Sequence, residues 1–371
     1  MRGTVLHLCS SLGIYGAESV ILMLATEQHR GEWEPVIGVI RNEYCPHVEL
    51  ADEANNRGLQ SEVLSCARRF DLGLVRRLRR LLVDRQVAVL HTHGYKANFH
   101  GLLAAIHTPT RLVATCHNWT LADARLRFYA WLDQQLLRRL GRVVAVSTQV
   151  RETLLALGLP GEHVETIPNG VAVERFDGPA GVDELRENLG LSAHERVIAV
   201  VGRLSPEKGH RFLLEAAKQL VDEFPECRFL LVGDGPEEAE LRRKCRLLGL
   251  ESRVIFAGVR RVEPVYRLAE CVVIPSLTEG LPMVLLEAMA ARVPVVATRV
   301  GEIPTVLDGG AAGVLVEPAD IDGLRSGIRQ LLDSRETGRQ LAERAYDRVR
   351  RCYSARAMAE RYARIYAQLS N

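Results

Sequence analysis

Short apolar strands alternate with helical stretches along almost the whole chain, and this alternation limits the possible folds more than any other feature. A chain that alternates in this way is typical of a parallel β-sheet with helices on both faces. The sequence therefore predicts an α/β architecture with doubly wound sheets. The strands predicted in the first half are TVLHLCS, EPVIGVI, VAVLHTHG, TRLVATCHN and RVVAVS.

A second series of the same kind follows residues 172–192, a stretch that is rich in turn residues and holds no long apolar strand. We expect the linker between two domains there, since a chain of 371 residues is long enough for two domains of ordinary size. The predicted domains are residues 1–175 and 176–354. The last helix, within residues 355–371, is expected to pack back onto the first domain. The strands predicted in the second half are RVIAVVGRL, CRFLLVGDG, RVIFAGV, CVVIPSL, VPVVATRV and GVLVEP.

With 47% hydrophobic and 25% charged residues, the chain has the composition of a soluble globular protein. Its eight cysteines are scattered and include no C-x-x-C pair, so neither a disulfide framework nor a zinc site is indicated. No uninterrupted apolar run reaches the roughly 18 residues that a membrane span requires. These features predict a protein of the reducing cytoplasm.

Positive charge is concentrated in residues 57–151, which carry 16 Lys and Arg against 5 Asp and Glu. Within this segment, residues 68–85 place Leu and Val near helical spacing with arginines between them, which predicts a basic amphipathic helix. Such a helix either lies on anionic lipid or packs its apolar side on its own sheet, and the sequence leaves both interpretations open. Nucleic acid is not expected as a partner, because the segment has no recognisable binding motif and no interleaved aromatic residues.

A predicted anion site follows the first strand of the second half, where the loop GRLSPEKG carries Arg203 and Lys208 into the start of a helix. Two cations beside the free amides of a helix N-terminus attract an anion, and a diphosphate is the natural occupant. In the first half, the loop SLGIYGAES places Gly16 before a helix, where a small residue lets backbone amides approach a phosphate. The GDG triplet lacks the third glycine of a dinucleotide-binding loop, so no dinucleotide is expected.

Two glutamates, Glu279 and Glu287, lie eight residues apart in the stretch EGLPMVLLEAMA, which otherwise has the apolar pattern of a packed core. Burial of a carboxylate is costly unless a partner compensates for the lost hydration. Eight positions on a helix differ in direction by only about 80°, so both carboxylates are expected on one side, with ligand hydroxyl groups as partners. Together with a diphosphate site, they indicate a nucleotide sugar, whose ribose lies at Glu287 and whose transferred sugar lies at Glu279.

Three histidines and one aspartate are further candidate ligands. His117 ends a predicted strand, where it either binds a sugar hydroxyl or serves the structure. His91 and His93 form an H-x-H pair, but no third ligand follows at a useful spacing, so shape or acceptor binding is expected and a metal is not. Asp320 begins the triplet DID, which is interpreted as a helix N-cap rather than as a metal site.

With these motifs in place, the chain resembles the retaining, metal-independent GT-B glycosyltransferases of the family 4 type, also called glycosyl transferases group 1. The resemblance implies two Rossmann-like β/α/β domains that face each other across a deep cleft, with no cofactor and no metal. One departure is that Ile14 and Tyr15 separate Gly13 from Gly16, where many members have adjacent glycines. The matching motifs are GIYGAES, TCHN, VSTQVRETL, IPNGV, GRLSPEKG, LLVGDGPEEAELR and EGLPMVLLEAMA, the last with the E-x7-E spacing.

The resemblance implies roles for individual residues of the second domain. Arg203 and Lys208 would bind the donor diphosphate, and Glu287 would bind the ribose. Glu279 would bind the donor sugar and phosphate. The backbone that acts with Glu279 runs through Gly280, Leu281, Pro282 and Met283.

The resemblance also implies contacts at the nucleotide base and from the first domain. The backbone at Val259 and Arg260 would hold the base, while Gly16 would contact the phosphate. His117 would contact the donor sugar near the reacting carbon. The residues assigned to catalysis are His117, Arg203, Lys208 and Glu279.

The function implied is transfer of a sugar from a nucleotide-diphosphate sugar to a hydroxyl of a sugar or lipid-linked acceptor, in glycolipid, lipopolysaccharide or exopolysaccharide synthesis. Residues 117–133 are expected on the acceptor side. The basic segment favours a membrane-proximal acceptor and a cytoplasmic protein that is peripheral on the inner face of the membrane. A non-catalytic scaffold that binds a nucleotide sugar and a nucleotide-sugar epimerase of the same fold are the alternatives, and the donor is open among UDP-, GDP- and ADP-sugars.

Overall fold

The computed structural model of the protein describes residues 3–10, 13, 16–41, 46–68, 70–116, 131, 133–178 and 181–370. The chain forms two compact units. The first consists of Met1–Gly170 together with Ala355–Asn371, and the second consists of Val171–Ser354.

The first unit is built on a seven-stranded parallel sheet with the strand order β3-β2-β1-β4-β5-β6-β7. The order reverses between β1 and β4, whose carboxyl ends therefore form the switch point of this sheet. The strands are β1 (Gly3–Cys9), β2 (Trp33–Arg41), β3 (Gln60–Ser65), β4 (Val87–His93), β5 (Arg111–Cys116), β6 (Arg142–Ala145) and β7 (Val164–Thr166). The helices described between them are α1 (Gly16–Arg30), α2 (Glu49–Asn56), α3 (Leu72–Asp84), α4 (Tyr95–Ala105) and α5 (Thr148–Ala156).

Helix α3 is the basic amphipathic helix that the sequence predicts. Asp71 caps its start by accepting hydrogen bonds from the N–H groups of Gly73 and Leu74. Its apolar side is buried in the core of the first unit, through Leu74, Val75, Leu78 and Leu82. The interpretation in which the helix packs on its own sheet is therefore correct for this side, and the side that carries Leu74, Leu78 and Leu82 is not available to lipid.

The second unit contains a six-stranded parallel sheet with the order β10-β9-β8-β11-β12-β13. Its order reverses between β8 and β11. The strands are β8 (Arg196–Val201), β9 (Cys227–Val232), β10 (Val254–Gly258), β11 (Ala269–Ile274), β12 (Val295–Thr298) and β13 (Val314–Val316). The helices are α6 (Val182–Asn188), α7 (His210–Glu223), α8 (Glu238–Leu248), α9 (Glu263–Leu268), α10 (Met283–Ala290), α11 (Ile303–Val306), α12 (Ile321–Asp333) and α13 (Arg335–Cys352).

Both faces of the second sheet are covered, as the near-continuous apolar strands predict. Successive side chains of a strand point to opposite faces. Val197 and Ala199 of β8 pack into one core, and Ile198 and Val200 pack into the other. The predicted doubly wound α/β architecture is confirmed in each unit.

The stretch 172–192, expected as a linker, is part of the second unit. It contains a 3₁₀ helix at Val173–Phe176 and then α6, and Phe176 and Leu185 are buried in the second core. The linker prediction is wrong because it relied on turn residues and overlooked these isolated apolar anchors. The units divide between Gly170 and Val171, since the N–H of Val171 donates to the carbonyl oxygen of Tyr353 at 2.9 Å.

The last helix, α14 (Ala355–Ser370), belongs to the first unit. Tyr362 and Tyr366 on this helix are buried at 2% and 0% exposure. The ring of Tyr366 meets the ring of Trp33 edge to face at 5.1 Å between centroids. Both tyrosine hydroxyls reach polar side chains of the sheet, so α14 is held by hydrogen bonds as well as by apolar contact.

No helix in the described part of the chain is both long and apolar enough to cross a membrane.

Candidate functional site

The loop GRLSPEKG links β8 to α7 and holds Lys208 at a fixed place beside the end of β11. Pro206–Lys208 form a 3₁₀ helix, and Gly209 then takes the left-handed conformation with φ 67°. A Cβ atom at Gly209 would lie 2.1 Å from the carbonyl oxygen of Pro275, so only glycine permits this approach. The sequence thereby brings the start of α7 against the loop that follows β11.

Lys208 and Glu279 form an ion pair with 2.7 Å between Nζ and Oε1. The hydroxyl of Ser276 donates to the same oxygen, also at 2.7 Å. The side chain of Glu279 is only 9% exposed. Two protein groups therefore compensate for its burial, where the sequence analysis expected ligand hydroxyls. The other oxygen, Oε2, accepts no hydrogen bond from any described residue and is left for an occupant.

Glu287 lies on α10 and has different partners. Its Oε2 accepts a hydrogen bond from the hydroxyl of Tyr266 at 2.9 Å, and Arg175 Nη1 lies 3.7 Å from its Oε1. Burial raises the pKa of Glu287 above its ordinary value, while the Tyr266 bond and the Arg175 charge act in the opposite direction. Arg175 is itself held by Glu263, with 2.6 Å between Nε and Oε1.

The prediction that Glu279 and Glu287 lie on one side of the same helix is wrong. Helix α10 begins at Met283, with Pro282 as its N-cap, so Glu279 precedes the helix and takes no part in its periodicity. Glu279 faces Lys208 and Ser276, whereas Glu287 faces Tyr266 and Arg175.

A pocket with about 390 Å³ of empty space, part of it open to solvent, lies at the switch point of the second sheet. Its walls come from the end of β8, the start of α7, the end of β11 and the first residues of α10. Switch points at the carboxyl ends of parallel strands are where ligands of such sheets bind. Its polar side chains are Lys208, His210, Ser276 and Glu279, and the predicted residues Pro282 and Met283 also line it.

Backbone N–H groups at the mouth of α10 complete this region. Those of Gly280, Leu281 and Met283 donate to no described residue. The carbonyl of Gly280 accepts from the N–H of Glu302 at 2.9 Å, which fixes the loop. Free amides that point from a helix start favour an anion.

The structure does not bring every predicted residue into the pocket. Arg203 is exposed, and its guanidinium has no hydrogen-bond or ion-pair partner among the described residues. Val259 follows β10 and is 75% exposed, while the Nε of Arg260 donates to the carbonyl of Ala257 at 3.0 Å. Neither lines the pocket.

The predicted residues of the first unit are described only in part. Gly16 is the exposed first residue of α1, with no atom within 4 Å of the place where a Cβ would be. His117, which follows β5, lies outside the described residues, as do Ile14, Tyr15 and most of the predicted acceptor segment.

The histidine pair of β4 has the third partner that the sequence analysis did not find. His7 of β1 lies beside His91 in the parallel register, and its Nδ1 is 3.3 Å from Nε2 of His93. Candidate ligand atoms of the three side chains all lie within 4.8 Å of one another. The argument from a missing ligand is therefore wrong, because strand pairing supplies a residue that is remote in sequence.

These histidines are joined to a hydrogen-bond network across the first unit. Nε2 of His7 is 2.7 Å from Oε1 of Gln28, and burial lowers the pKa of His7 to about 4. The two ring nitrogens of His91 lie 2.7 Å from the hydroxyls of Thr115 and Tyr366. We interpret the cluster as a hydrogen-bond network that binds α14 to the sheet.

Asp320 is the N-cap of α12, as predicted, and its Oδ1 accepts a hydrogen bond from the N–H of Gly323 at 2.9 Å. Its carboxylate is used by the helix, as the N-cap interpretation predicts.

Several side chains of the site could not be recognised from the sequence. Ser276 gave no signal beyond its place after a strand, and Tyr266 looked like ordinary core. Arg175 lay at the edge of the expected linker. A periodicity search would have placed His210 at the start of α7, but nothing in the sequence showed that its ring would be buried against a pocket.

Known protein families match both halves of the chain. The family described as Glycosyltransferase Family 4 matches residues 14–175, and the family described as Glycosyl transferases group 1 matches residues 181–348.

The chain is also similar to curated enzymes. It is 30% identical to alpha-D-kanosaminyltransferase of Streptomyces kanamyceticus over 246 residues, which is 64% of this chain and 63% of that protein. It is 27% identical to UDP-Gal:alpha-D-GlcNAc-diphosphoundecaprenol alpha-1,3-galactosyltransferase of Escherichia coli over 269 residues, 70% of each. It is 31% identical to D-inositol 3-phosphate glycosyltransferase of Thermobispora bispora over 304 residues, 76% of this chain and 70% of that protein. The match to alpha-D-kanosaminyltransferase spans less than two thirds of the length of that protein.

Solved structures share the whole fold. HepE of Anabaena in complex with UDP superposes with a TM-score of 0.85 at 22% identity, covering 98% of this chain and 100% of that one. Its complex with UDP-glucose has a TM-score of 0.82 at 23% identity, covering 98% and 99%. This likeness establishes a two-domain, Rossmann-like GT-B fold. Taken with the two matching families and the relative from Thermobispora bispora, it shows that the chain belongs to the GT-B glycosyltransferases of the family 4 type.

Proposed function

We propose that this protein is a retaining glycosyltransferase that needs no metal ion and moves a sugar from a nucleoside-diphosphate sugar to a hydroxyl acceptor. One observation carries the proposal: Lys208 and Glu279 are held together at the switch point of the second sheet. A cation and a carboxylate side by side suit a ligand that has both phosphate oxygens and hydroxyl groups.

The hydrogen-bonding capacity left in this pair fits such a ligand. Lys208 uses one of its three ammonium donors on Glu279, so two remain for phosphate oxygens. Oε2 of Glu279 has no partner among the described residues and is free to accept from a sugar hydroxyl. The N–H groups of Gly280, Leu281 and Met283, at and just before the start of α10, donate to no described residue and are proposed as further neutral donors.

The proposed mechanism depends on the charge that develops as the donor breaks. The bond between the anomeric carbon and the phosphate oxygen cleaves, and negative charge grows on the leaving diphosphate. Lys208 and Arg203 stabilise that charge more in the transition state than in the ground state. The acceptor hydroxyl bonds to the anomeric carbon from the leaving-group face and gives its proton to the departing phosphate oxygen, so the configuration is retained without a carboxylate base.

The remaining donor contacts are proposed by family resemblance and by local geometry. Glu287, with its raised pKa and its Tyr266 bond, is assigned to the ribose. The backbone after β10, at the exposed Val259 and the half-buried Arg260, is assigned to the base. In the first unit, Gly16 is assigned to the phosphate, and His117 is assigned to the transferred sugar.

Substitution of Lys208 by Ala tests the proposal. We expect turnover with the preferred donor to fall about 100- to 1000-fold, because one pre-placed charge contact of this kind supplies roughly 3–4 kcal/mol in the transition state. Initial rates in the presence of a chelator, with the anomeric configuration of the product read by NMR, measure this. Lys218→Ala, which removes an exposed lysine from the same helix α7, is the matched control.

Two results would count against the proposal. An inverted product would exclude retention, and turnover that disappears with the chelator would exclude metal independence. A wild-type protein that binds nucleotide sugars without turning them over would favour the scaffold alternative.

We also propose a lipid-linked acceptor in cell-envelope synthesis and a peripheral position at an anionic membrane. The relative from Escherichia coli is named for an acceptor sugar on diphosphoundecaprenol. The apolar side of α3 is buried in the core of the first unit, so a membrane-binding surface on this helix must be its opposite side. Leu72 and Val83 there are 67% and 55% exposed, and they lie within about 80° of Arg76 and Arg80 around the helix. Neither arginine is paired with a described residue.

Flotation with phosphatidylglycerol and phosphatidylcholine vesicles tests the membrane proposal. We expect binding to phosphatidylglycerol only, reduced at least fivefold by Arg76→Glu with Arg80→Glu and by 0.5 M salt, because the attraction is electrostatic and is screened. Arg350→Glu with Arg351→Glu, two exposed arginines of α13, is the matched control. Equal loss in both double variants, or no binding by the wild type, would contradict the proposal.

A further inference from the structure

His210 is a buried histidine whose ring has no hydrogen-bond partner among the described residues. It is the first residue of α7 and is 1% exposed. Neither Nδ1 nor Nε2 finds a donor or acceptor in the described part of the protein. The same side chain lines the pocket that Lys208 and Glu279 line.

An unpaired ring at this place has an energetic cost. Most buried polar groups in folded proteins are hydrogen-bonded, and an orphaned donor or acceptor loses its hydration without replacement. An apolar side chain would fill the same space without this cost. The other lining residues from β8 and β11 are largely apolar, among them Val200, Val273 and Ile274, so the imidazole is the exception on this wall.

The charge state of His210 limits what it can bind. Burial, and then the nearby Lys208, lowers its pKa to about 4, against an opposing effect of Glu207. The ring is therefore neutral near pH 7, with one N–H donor and one acceptor nitrogen. A hydroxyl can pair with either nitrogen, because it both donates and accepts. A phosphate oxygen can pair only with the N–H, and Lys208 already offers that group a full charge.

We propose that His210 hydrogen-bonds a hydroxyl of the sugar carried by the donor and helps to determine which sugar the pocket accepts. The assignment rests on the proposed function, since it places the transferred sugar beside Glu279. The fixed start of α7 at Gly209 holds the ring in position. A buried neutral group that is satisfied only by the correct hydroxyl discriminates strongly against a sugar that lacks it.

His210→Leu separates this role from a purely structural one. In the presence of a chelator, we titrate wild type and variant with UDP, GDP and ADP and with the glucose ester of each nucleotide. For the nucleotide that the wild type binds, we expect Kd of the nucleoside diphosphate to change less than twofold. Kd of the matching nucleotide sugar should rise about tenfold. The melting temperature of the empty variant should rise, because an unpaired polar group has left the interior.

Two further variants give controls. His210→Gln retains a neutral donor and acceptor, and it should recover part of the lost sugar affinity. Val221→Ala removes packing from the same helix away from the pocket, so it should lower the melting temperature and leave both Kd values unchanged.

The other possible outcomes refute either the role proposed for His210 or the proposed function. Equal weakening of nucleoside diphosphate and nucleotide sugar by His210→Leu would assign the residue to pocket shape. Unchanged affinity for both would leave it as packing, and either result refutes the proposal while the proposed function stands. A wild-type protein that binds none of the nucleotide sugars refutes the proposed function, and this assignment with it.

Discussion

Glu279 precedes the apolar helix α10 and Glu287 lies on it, and their surroundings give the two carboxylates different properties. Glu279 is paired with Lys208 and Ser276, so its charge is compensated inside the protein. Glu287 has the hydroxyl of Tyr266 and the more distant Arg175, and burial still raises its pKa. Neutral hydroxyl groups of a ligand are a better complement to Glu287, whereas Glu279 already lies beside the cation that a phosphate needs.

His210 also gives stability a predictable pH dependence. Its pKa is about 4 in the folded protein and 6.5 when exposed, so the unfolded state binds more protons between these values. His210 therefore adds no pH-dependent cost above pH 6.5, and the protein loses stability as the pH falls from 6.5 toward 4 because protons bind the unfolded state. On acidification from pH 7.5 to 4.5, we expect the free energy of unfolding of His210→Leu to fall by roughly 2–3 kcal/mol less than that of the wild type.

Urea unfolding at the two pH values measures this difference. Glu287, whose raised pKa makes its contribution present below pH 4.5 and lost as pH rises, acts in the opposite sense but is common to both proteins. The prediction is contradicted if the variant and the wild type lose the same free energy on acidification.

Single residues of the site were predictable where a motif carried them and not where the fold assembled them. Lys208 and Glu279 follow from loops after predicted strands. His7 and His93 are 86 residues apart, and only the pairing of β1 with β4 brings them within 3.3 Å. Burial of the His210 ring was likewise beyond the sequence, because it depends on how closely α7 approaches β11.

At the scale of elements, the start of α7 decides the geometry of the pocket. Gly209 lets the helix begin against the carbonyl of Pro275, in a conformation with positive φ. We expect Gly209→Ala to weaken nucleotide-sugar binding at least tenfold, because the added Cβ collides with backbone that cannot yield and moves Lys208. It should also destabilise the protein by about 3 kcal/mol or more, since the collision adds to the strain of a left-handed alanine.

Gly190→Ala is the matched control for that substitution. Gly190 has a similar φ of 65°, but no atom lies within 4 Å of the place where its Cβ would be. Gly190→Ala should lower the free energy of unfolding by only about 1 kcal/mol and leave nucleotide-sugar binding unchanged. Calorimetric titration and thermal unfolding of both variants decide the matter, and equal effects at the two glycines would show that strain alone is responsible.

Most elements were predicted by type, but β3 and β7 were not predicted, and the environment of several elements was not predicted either. The hydrophobic spacing of α3 gave the helix, but not which of its sides meets the sheet. The turn-rich stretch 172–192 was taken for a linker because its apolar residues are isolated, yet Phe176 and Leu185 are enough to fix it on the second core. Hydrophobic periodicity indicates the type of an element, but it does not show which other element packs against it.

At the scale of the whole molecule, the two parallel sheets and their helices follow from the alternation of strands and helices. Strand order does not follow from it, and strand order creates the switch point between the paired strands β8 and β11. The return of α14 to the first unit was expected, but its polar attachment through Tyr362 and Tyr366 was not. The sequence does not show whether a buried tyrosine also forms a hydrogen bond through its hydroxyl or only packs its ring in the core.

The central claim is that the pocket at the second switch point binds a nucleoside-diphosphate sugar without metal. Its most direct test is a thermal-shift screen of wild type and Lys208→Ala with UDP-, GDP- and ADP-sugars in the presence of a chelator. The account predicts that one nucleotide class raises the melting temperature of the wild type and that the variant loses this shift. No shift with any nucleotide sugar, or an equal shift in the variant, would contradict it.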